Sequence, residues 1–373
     1  MRSHLLPKSN HRSHGTHRKS VVLCVLCVPW LLSSCAHRAT PPDSKAAVTR
    51  ADALLRQTRT TGNAGLAIQA GQALDAVLAA DPSNYDARRM RARVYASEHR
   101  FREAIVDAER CRAVRPFDPW NYGVIGDARL ELGDYDEAFA AFDRMTTLKP
   151  SAASYARSSY ARELQGDLND ALRLMQMATE ATSPQDAESL AWHRAHLGHL
   201  YFEMGRLDEA RREYEHAEYA YPGHPFAIDG LARVEAARGH AASALDLVRR
   251  RLAAAPSPAD AAFAGDLLRA LGRDAEAERQ YRLAEVGWVV DAPEPAKLAL
   301  FLAEHGRRIG DAVAIAERAA SERHDIFTED AMAWAYYRAG RMDEARAAIA
   351  RALRTGSRDR DIRAHAAAIR AAS

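Results

Sequence analysis

Histidine side chains can bind metal ions, and three of them recur at spacings of three: His193, His196 and His199. On a helix these spacings place His193 and His196 at neighbouring positions, whereas His199 is rotated away from them. The pattern therefore predicts a solvated or hydrogen-bonding helix face. No metal ion and no other cofactor is expected.

Signatures of catalysis are absent from the sequence. It contains no G-x-S-x-G motif, and no Lys follows a Gly, which excludes a P-loop. Pairs of adjacent acidic residues recur at the predicted start of second helices, as Asp136-Glu137, Asp208-Glu209 and Asp343-Glu344. Negative charge is favourable there because the helix dipole is positive at its amino end. We therefore predict that the chain is not an enzyme, with the regulatory part of an enzyme as an alternative.

The amino terminus has the composition of an export signal. Residues 1–19 carry five basic residues and no acidic one, and an apolar run of twelve follows, Val21 to Leu32. Spanning a bilayer takes about 20 residues, so this run fits a signal-peptide core instead. Cys24 and Cys27 lie inside the run and are interpreted as apolar filler.

The run ends in Leu32-Ser33-Ser34-Cys35, which resembles a bacterial lipobox. The resemblance implies that Cys35 receives a diacylglycerol thioether and becomes the first residue after a signal peptide, 1–34, is removed. Ala36 directly after the Cys favours the outer membrane under the family's sorting rules. The alternative is cleavage after Ala36, which would release a soluble secreted or periplasmic protein.

Removal of residues 1–34 changes the charge and the cysteine content. The remaining chain has 47 basic and 50 acidic residues, a net charge of −3, so the apparent basicity belongs to the signal. Cys111 is then the only other cysteine besides Cys35, and no internal disulfide is expected. The polar, Pro-containing stretch 35–50 predicts a flexible tether.

A small residue recurs at nearly constant spacing through the rest of the chain. The spacings are 34, 34, 33, 39, 34, 33, 35 and 33 residues for Ala70, Ala104, Ala138, Ala171, Ala210, Ala244, Ala277, Ala312 and Ala345. Prolines end six of these units, and turns such as Leu132-Gly133-Asp134-Tyr135 and Met204-Gly205-Arg206-Leu207 recur between their halves. Aromatics four residues after the small one, at Phe142, Tyr214 and Tyr281, are predicted to pack in the core.

The segment from Ala191 to His224 carries Leu197-Gly198, Tyr201, Gly205, Ala210, Tyr214 and Pro222, and so resembles a tetratricopeptide repeat. The resemblance implies an all-α, right-handed superhelical solenoid of about eight to nine helix–turn–helix units. We predict a degenerate first repeat or cap at 51–84, an array at 85–355, and a capping helix at 356–373. Extra residues near 182–189 should lengthen a loop or reset the superhelix, and Arg307 replaces the turn glycine of one unit.

In tetratricopeptide arrays the first helix of each unit lines a concave groove. Carrying the family's inward positions onto this chain, we expect partner contacts from Trp120, Asp127, Tyr160, Trp192, His199, Phe202, Arg233, Trp334 and Tyr337. Trp, Tyr and Arg carry much of the binding energy at protein interfaces. Because the groove mixes both charge signs, nucleic acid is not an expected partner.

These patterns together predict a lipid-anchored scaffold that binds envelope proteins at the periplasmic face of an outer membrane. Repeat lipoproteins that serve exopolysaccharide export are an alternative family resemblance, since an aromatic-lined groove also suits glycan stacking. A soluble periplasmic binding subunit is a further alternative, should Cys35 carry no lipid.

Overall fold

The computed structural model describes residues 43–290 and 294–372, with Thr60 described by its backbone alone. Within these ranges the chain forms nineteen α-helices and no strand, and all described residues belong to one compact unit. The predicted all-α solenoid is therefore confirmed. The predicted signal peptide, 1–34, and Cys35 lie outside the described residues.

Eighteen of the helices form nine consecutive antiparallel hairpins, numbered here as units one to nine, and the last helix follows unit nine. The helices are α1 Ser44–Thr61, α2 Ala64–Ala80, α3 Tyr85–Ser97, α4 Phe101–Val114, α5 Pro119–Leu132, α6 Tyr135–Leu148, α7 Ala152–Leu164, α8 Leu168–Glu180, α9 Ala187–Glu203, α10 Leu207–Ala220, α11 Pro225–Ala237, α12 Ala241–Ala254, α13 Pro258–Ala270, α14 Asp274–Val290, α15 Pro295–Glu304, α16 Ile309–Glu322, α17 Ile326–Arg338, α18 Met342–Ala352 and α19 Arg360–Ala371.

The recurring small residues lie where the two helices of each hairpin touch. Ala138 and Ala210 are fully buried, and the aromatics four residues later, Phe142, Tyr214 and Tyr281, are buried beside them. Gly198 on α9 leaves room for the ring of Tyr214, since a Cβ there would lie 2.7 Å from its Cε1 atom. The prediction that these aromatics pack in the core is confirmed.

Local details differ from the sequence-based expectations in three places. Helix α1 begins at Ser44, within the stretch predicted as a tether, because the Asp43 side chain accepts hydrogen bonds from the first backbone N–H groups. The insertion near residue 185 extends α9 to 17 residues. In unit eight Gly306 occupies the left-handed conformation one residue before the expected position, and Arg308 also adopts a positive φ.

Residues far apart in sequence meet where the chain curls back on itself. The backbone N–H of His324 donates to Leu132 O at 3.0 Å, and the N–H of Ile326 donates to the Tyr135 hydroxyl at 2.8 Å. Arg323 pairs with Glu131 at 2.9 Å. We call this set of contacts, between the turn of unit three and the residues that begin α17, the closing contact.

The closing contact is backed by apolar packing. Leu130, Tyr135, Phe142 and Leu164 of units three and four share one buried cluster with residues of α11 to α19. Separate buried clusters join unit two to unit three and unit five to unit six. The curvature of the array thus creates a core between units that are not neighbours in sequence, in addition to the core between successive hairpins.

Gly133 permits the close approach at the closing contact. Its φ of +88° is strained for other residues, and a Cβ atom would lie 2.5 Å from the His324 carbonyl carbon. Gly166 repeats this arrangement one unit later, where a Cβ would overlap the carbonyl oxygen of Gly356. Gly205 has a similar φ of +74°, but a Cβ added there would meet no atom within 4 Å, so it makes no such approach.

Replacing Gly133 by Ala tests the closing contact. The left-handed backbone costs a non-Gly residue about 1–2 kcal/mol, and overlap with a backbone adds about 1–3 kcal/mol. We expect urea unfolding of Gly133→Ala to show a loss of about 2–5 kcal/mol. The control Gly205→Ala should lose only the backbone part, about 1–2 kcal/mol. Equal losses in the two variants would mean that the closing contact does not stabilise the fold.

Candidate partner-binding surface

The nine predicted groove residues all lie on the first helices of their units: Trp120 and Asp127 on α5, Tyr160 on α7, Trp192, His199 and Phe202 on α9, Arg233 on α11, and Trp334 and Tyr337 on α17. None of them is fully buried. First helices of successive units contact one another, as α3 does α5 and α9 does α11. We call the surface that these helices form together the inner surface.

Charged residues of the inner surface already have partners within it. Asp127 receives hydrogen bonds from two nitrogens of the Arg157 guanidinium of the next unit, the shortest at 2.8 and 2.7 Å. Arg233 pairs with Asp229 at 2.8 Å along its own helix. These pairs leave the inner surface with both charge signs and little uncompensated charge at these positions.

Two of the predicted tryptophans, Trp120 and Trp192, are half-buried and lie against a neighbouring side chain. Trp192 stacks on the ring of His196 at a centroid distance of 3.8 Å, and Phe226, 54% exposed, lies 6.4 Å beyond that imidazole. Trp120 lies under the guanidinium of Arg89 at 4.3 Å. Flat rings that are held in place by a neighbour lose little conformational freedom when they bind a partner, which is typical of interface hot spots.

The remaining aromatics of the predicted groove are covered by the chain itself. Trp334 stacks against His365 of α19 at 4.2 Å and against Tyr337 at 4.8 Å. Phe202 lies under the Arg360 guanidinium at 4.9 Å. Tyr160 packs against the buried cluster of the closing contact.

These four residues therefore contact other parts of the chain, and their role in partner binding stays a prediction. The residues 356–373 were expected only to cap the last unit. Because the array curls, Arg360 also reaches unit five, and His365 lies over the ring of Trp334. The run Arg358-Asp359-Arg360-Asp361 is charged at every position. It was the only indication in the sequence that this helix contacts a second part of the chain.

The three histidines of α9 have three different environments. His193 is buried, and its Nδ1 lies 2.9 Å from the Thr182 hydroxyl; burial lowers its pKa to about 4. Burial beside Trp192 likewise lowers the pKa of His196 to about 4. For His199, burial alone would lower the pKa, but the Glu163 carboxylate at 2.9 Å outweighs it and raises the pKa to about 9.

The rings therefore do not converge on one point. Among the described residues there is no group of three or more His, Cys, Asp or Glu side chains placed to hold a metal ion. Cys111 is buried, and burial raises the pKa of its thiol to about 11, so it is a poor nucleophile at neutral pH. No helix in the described part of the chain has the length and apolar character needed to cross a membrane.

These shifts predict a stability that falls on both sides of neutrality. The raised pKa of His199 means that its contribution is present below about pH 6.5 and is lost as the pH rises towards 9. The lowered pKa values of His193 and His196 mean that their contributions are present above about pH 6.5 and are lost as the pH falls towards 4.

Histidine titration by NMR measures these values directly, with His199 expected to change charge well above the other two. Its side chain is 43% exposed, so solvent screens part of the Glu163 interaction. Glu163→Gln should bring the titration of His199 back towards the ordinary value and remove its part of the alkaline loss of stability. An unchanged His199 titration in that variant would contradict the ion pair.

Known proteins with similar sequence share the repeat. The profile of the tetratricopeptide repeat family matches residues 121–151 and 194–224, which correspond to units three and five. An Hsp70-Hsp90 organizing protein of Triticum aestivum is 37% identical over 82 residues, which are 22% of this chain and 14% of that protein. The match therefore spans about one seventh of the relative's length.

Solved structures extend the likeness to most of the chain. The alignment with a chain of the Cut9–Hcn1 hetero-tetramer of the APC/C covers 79% of this chain and 56% of that chain, with 16% identity and a TM-score of 0.55. The alignment with a chain of a human IFIT1 dimer with m7Gppp-AAAA covers 84% of this chain and 96% of that chain, with 10% identity and a TM-score of 0.53. At these identities the likeness concerns the fold alone. The chain is an α-solenoid that contains tetratricopeptide repeats, an architecture whose curved surfaces bind other proteins.

Proposed function

We propose that this protein is an exported, lipid-anchored scaffold that binds envelope proteins along the exposed part of its inner surface. The observation that carries the proposal is an aromatic group of units five and six, in which Trp192 and His196 are half-buried and Phe226 is exposed. These rings come from two successive first helices, so a partner that crosses both units can contact all three. We call them the aromatic group.

The chemistry of the aromatic group favours a peptide segment with apolar side chains. Trp192 offers a large flat surface, and His196 beside it is neutral at physiological pH because burial lowers its pKa to about 4. A neutral imidazole adds no charge that would need to be compensated in a complex. The neighbouring arginines and carboxylates are paired with one another, so an extended polyanion gains few new ion pairs here.

Anchoring follows from the proposed acylation of Cys35. Only the eight residues from Ala36 to Asp43 separate that cysteine from α1. Fully extended, such a segment spans at most about 28 Å, so the first unit would stay near the membrane surface. We propose the periplasmic face of the outer membrane as the location, from Ala36 after the cysteine.

Substitution of Trp192 by Ala tests the inner surface. Crosslinking followed by pull-down from membranes identifies the partner of the native protein, and its affinity for the variant should fall about tenfold or more, as expected for an interface hot spot. The control is Tyr219→Ala on α10. Tyr219 is 91% exposed and lies on the second helix of its unit, whereas the inner surface is formed by first helices. Circular dichroism confirms that both variants fold.

Equal capture of the partner by Trp192→Ala and the native protein would contradict the proposed binding surface. Recovery of a glycan in place of a protein, with the same loss in Trp192→Ala, would instead support the role in exopolysaccharide export.

Substitution of Cys35 by Ser tests the anchor. The native protein should incorporate labelled palmitate and fractionate with outer membranes, because several acyl chains together hold a protein on a bilayer essentially permanently. Cys35→Ser should lose the label and remain in the soluble fraction. Cys111→Ser is the control, since the Cys111 thiol is buried and cannot be the acceptor. Soluble native protein without label would exclude lipidation at Cys35.

A further inference from the structure

A cleft of about 920 Å³ lies where α19 and the residues before it meet units four and five. One wall is formed by the turn between α7 and α8 together with the end of α9, and includes Asp167, Asn169 and Glu203. The other wall carries Arg358, Arg360 and Arg363. We call this space the basic cleft. It belongs to the contact between distant units and contains none of the aromatic group.

The arginines of the basic cleft differ in what they contact. Arg360 lies over the Phe202 ring, and its backbone N–H donates to Glu203 at 3.3 Å. Arg358 and Arg363 are exposed, and within the described part of the chain their guanidinium groups have no ion-pair or hydrogen-bond partner. Most other arginines of this protein do pair with a carboxylate, so the two face the cleft with their donors free.

The carboxylates of the opposite wall compensate the arginines only in part. Asp167 accepts the backbone N–H of Asp170 at 3.1 Å and so caps α8. Glu203 accepts the N–H of Arg360. The lining comprises three arginines and two acidic residues, so positive charge exceeds negative charge in the cleft by one.

Size and lining indicate what kind of anion would fit. The volume is that of a site for a ligand with many atoms, far larger than a single phosphate or carboxylate ion. Apolar side chains, Leu168, Met204 and Ala364, lie between the charged ones. The two acids on the wall would repel a densely charged nucleic-acid backbone. A peptide that alternates acidic and apolar side chains satisfies both kinds of lining.

We propose that the basic cleft binds an acidic segment of a protein partner, with Arg358 and Arg363 pairing with its carboxylates. Guanidinium groups bind carboxylates through two parallel hydrogen bonds, which gives the site both affinity and orientation. Because the two walls come from units four and five and from the end of the chain, an occupied cleft also stabilises the curled arrangement of the array.

Fluorescence anisotropy with the full chain and a labelled peptide of alternating Glu and Leu tests the proposal. The peptide should bind, its affinity should fall as salt is added, and a matched peptide of alternating Gln and Leu should bind at least about tenfold more weakly. The double variant Arg358→Gln/Arg363→Gln should also lose about tenfold or more in affinity for the acidic peptide.

The control is Arg144→Gln/Arg318→Gln, which removes the same charge from two exposed arginines on α6 and α16. It should change the affinity less than about twofold. The acidic peptide should raise the midpoint of thermal unfolding of the native protein and of this control, but not that of the cleft variant. Melting curves without peptide verify that all variants fold.

Several results would overturn the proposal. One is no binding of the acidic peptide at millimolar concentration, and another is an equal loss in the cleft and control variants, which would indicate a non-specific charge effect. Tighter binding of a single-stranded oligonucleotide would assign the cleft to nucleic acid. Loss of peptide binding in Trp192→Ala, with the cleft variant unaffected, would place the peptide on the inner surface. Retained binding in Trp192→Ala supports the basic cleft whatever the fate of the proposed scaffold function.

Discussion

The closing contact is the interaction on which the arrangement of the binding surfaces depends. A helix leaves its first N–H groups without partners inside the helix, and α17 satisfies them from two sources. Asp325 caps the N–H groups of Phe327 and Thr328, while the N–H of Ile326 donates to Tyr135 from a unit almost two hundred residues earlier. A local cap and a distant hydroxyl together hold the start of α17 against unit three, with Leu130 and Leu164 buried behind them.

Repeat solenoids are usually described as one-dimensional arrays, in which each unit contacts only its neighbours. This protein departs from that description because its superhelix is tight enough for units three to five to contact unit nine and α19. Stability should then include a long-range part, besides the sum over neighbouring hairpins. The same contacts place His365 of α19 against Trp334 of the inner surface, and they create the basic cleft between the two walls.

Residues of α9 illustrate how far sequence reasoning reached at the candidate site. The spacing of His193, His196 and His199 predicted that His199 is rotated away from the other two, whereas in the structure His193 is the one that is buried. It could not indicate that His199 meets Glu163, because that partner lies in another unit. Trp334 and Phe202 occupy the predicted helices and positions, yet α19 and Arg360 cover them.

The sequence by itself determined the helices, their pairing into hairpins and the residues at each tight point. These features depend on contacts within about forty residues, and Ala210, Gly198 and Tyr214 suffice to specify one of them. Only the tertiary structure decided which inner residues stay open, because a small rotation between successive units accumulates along the whole array. No single unit encodes the accumulated rotation. This rotation brings Gly133 to His324 and Gly166 to Gly356. It thereby places the end of the chain over a surface that the repeats alone predict to be open.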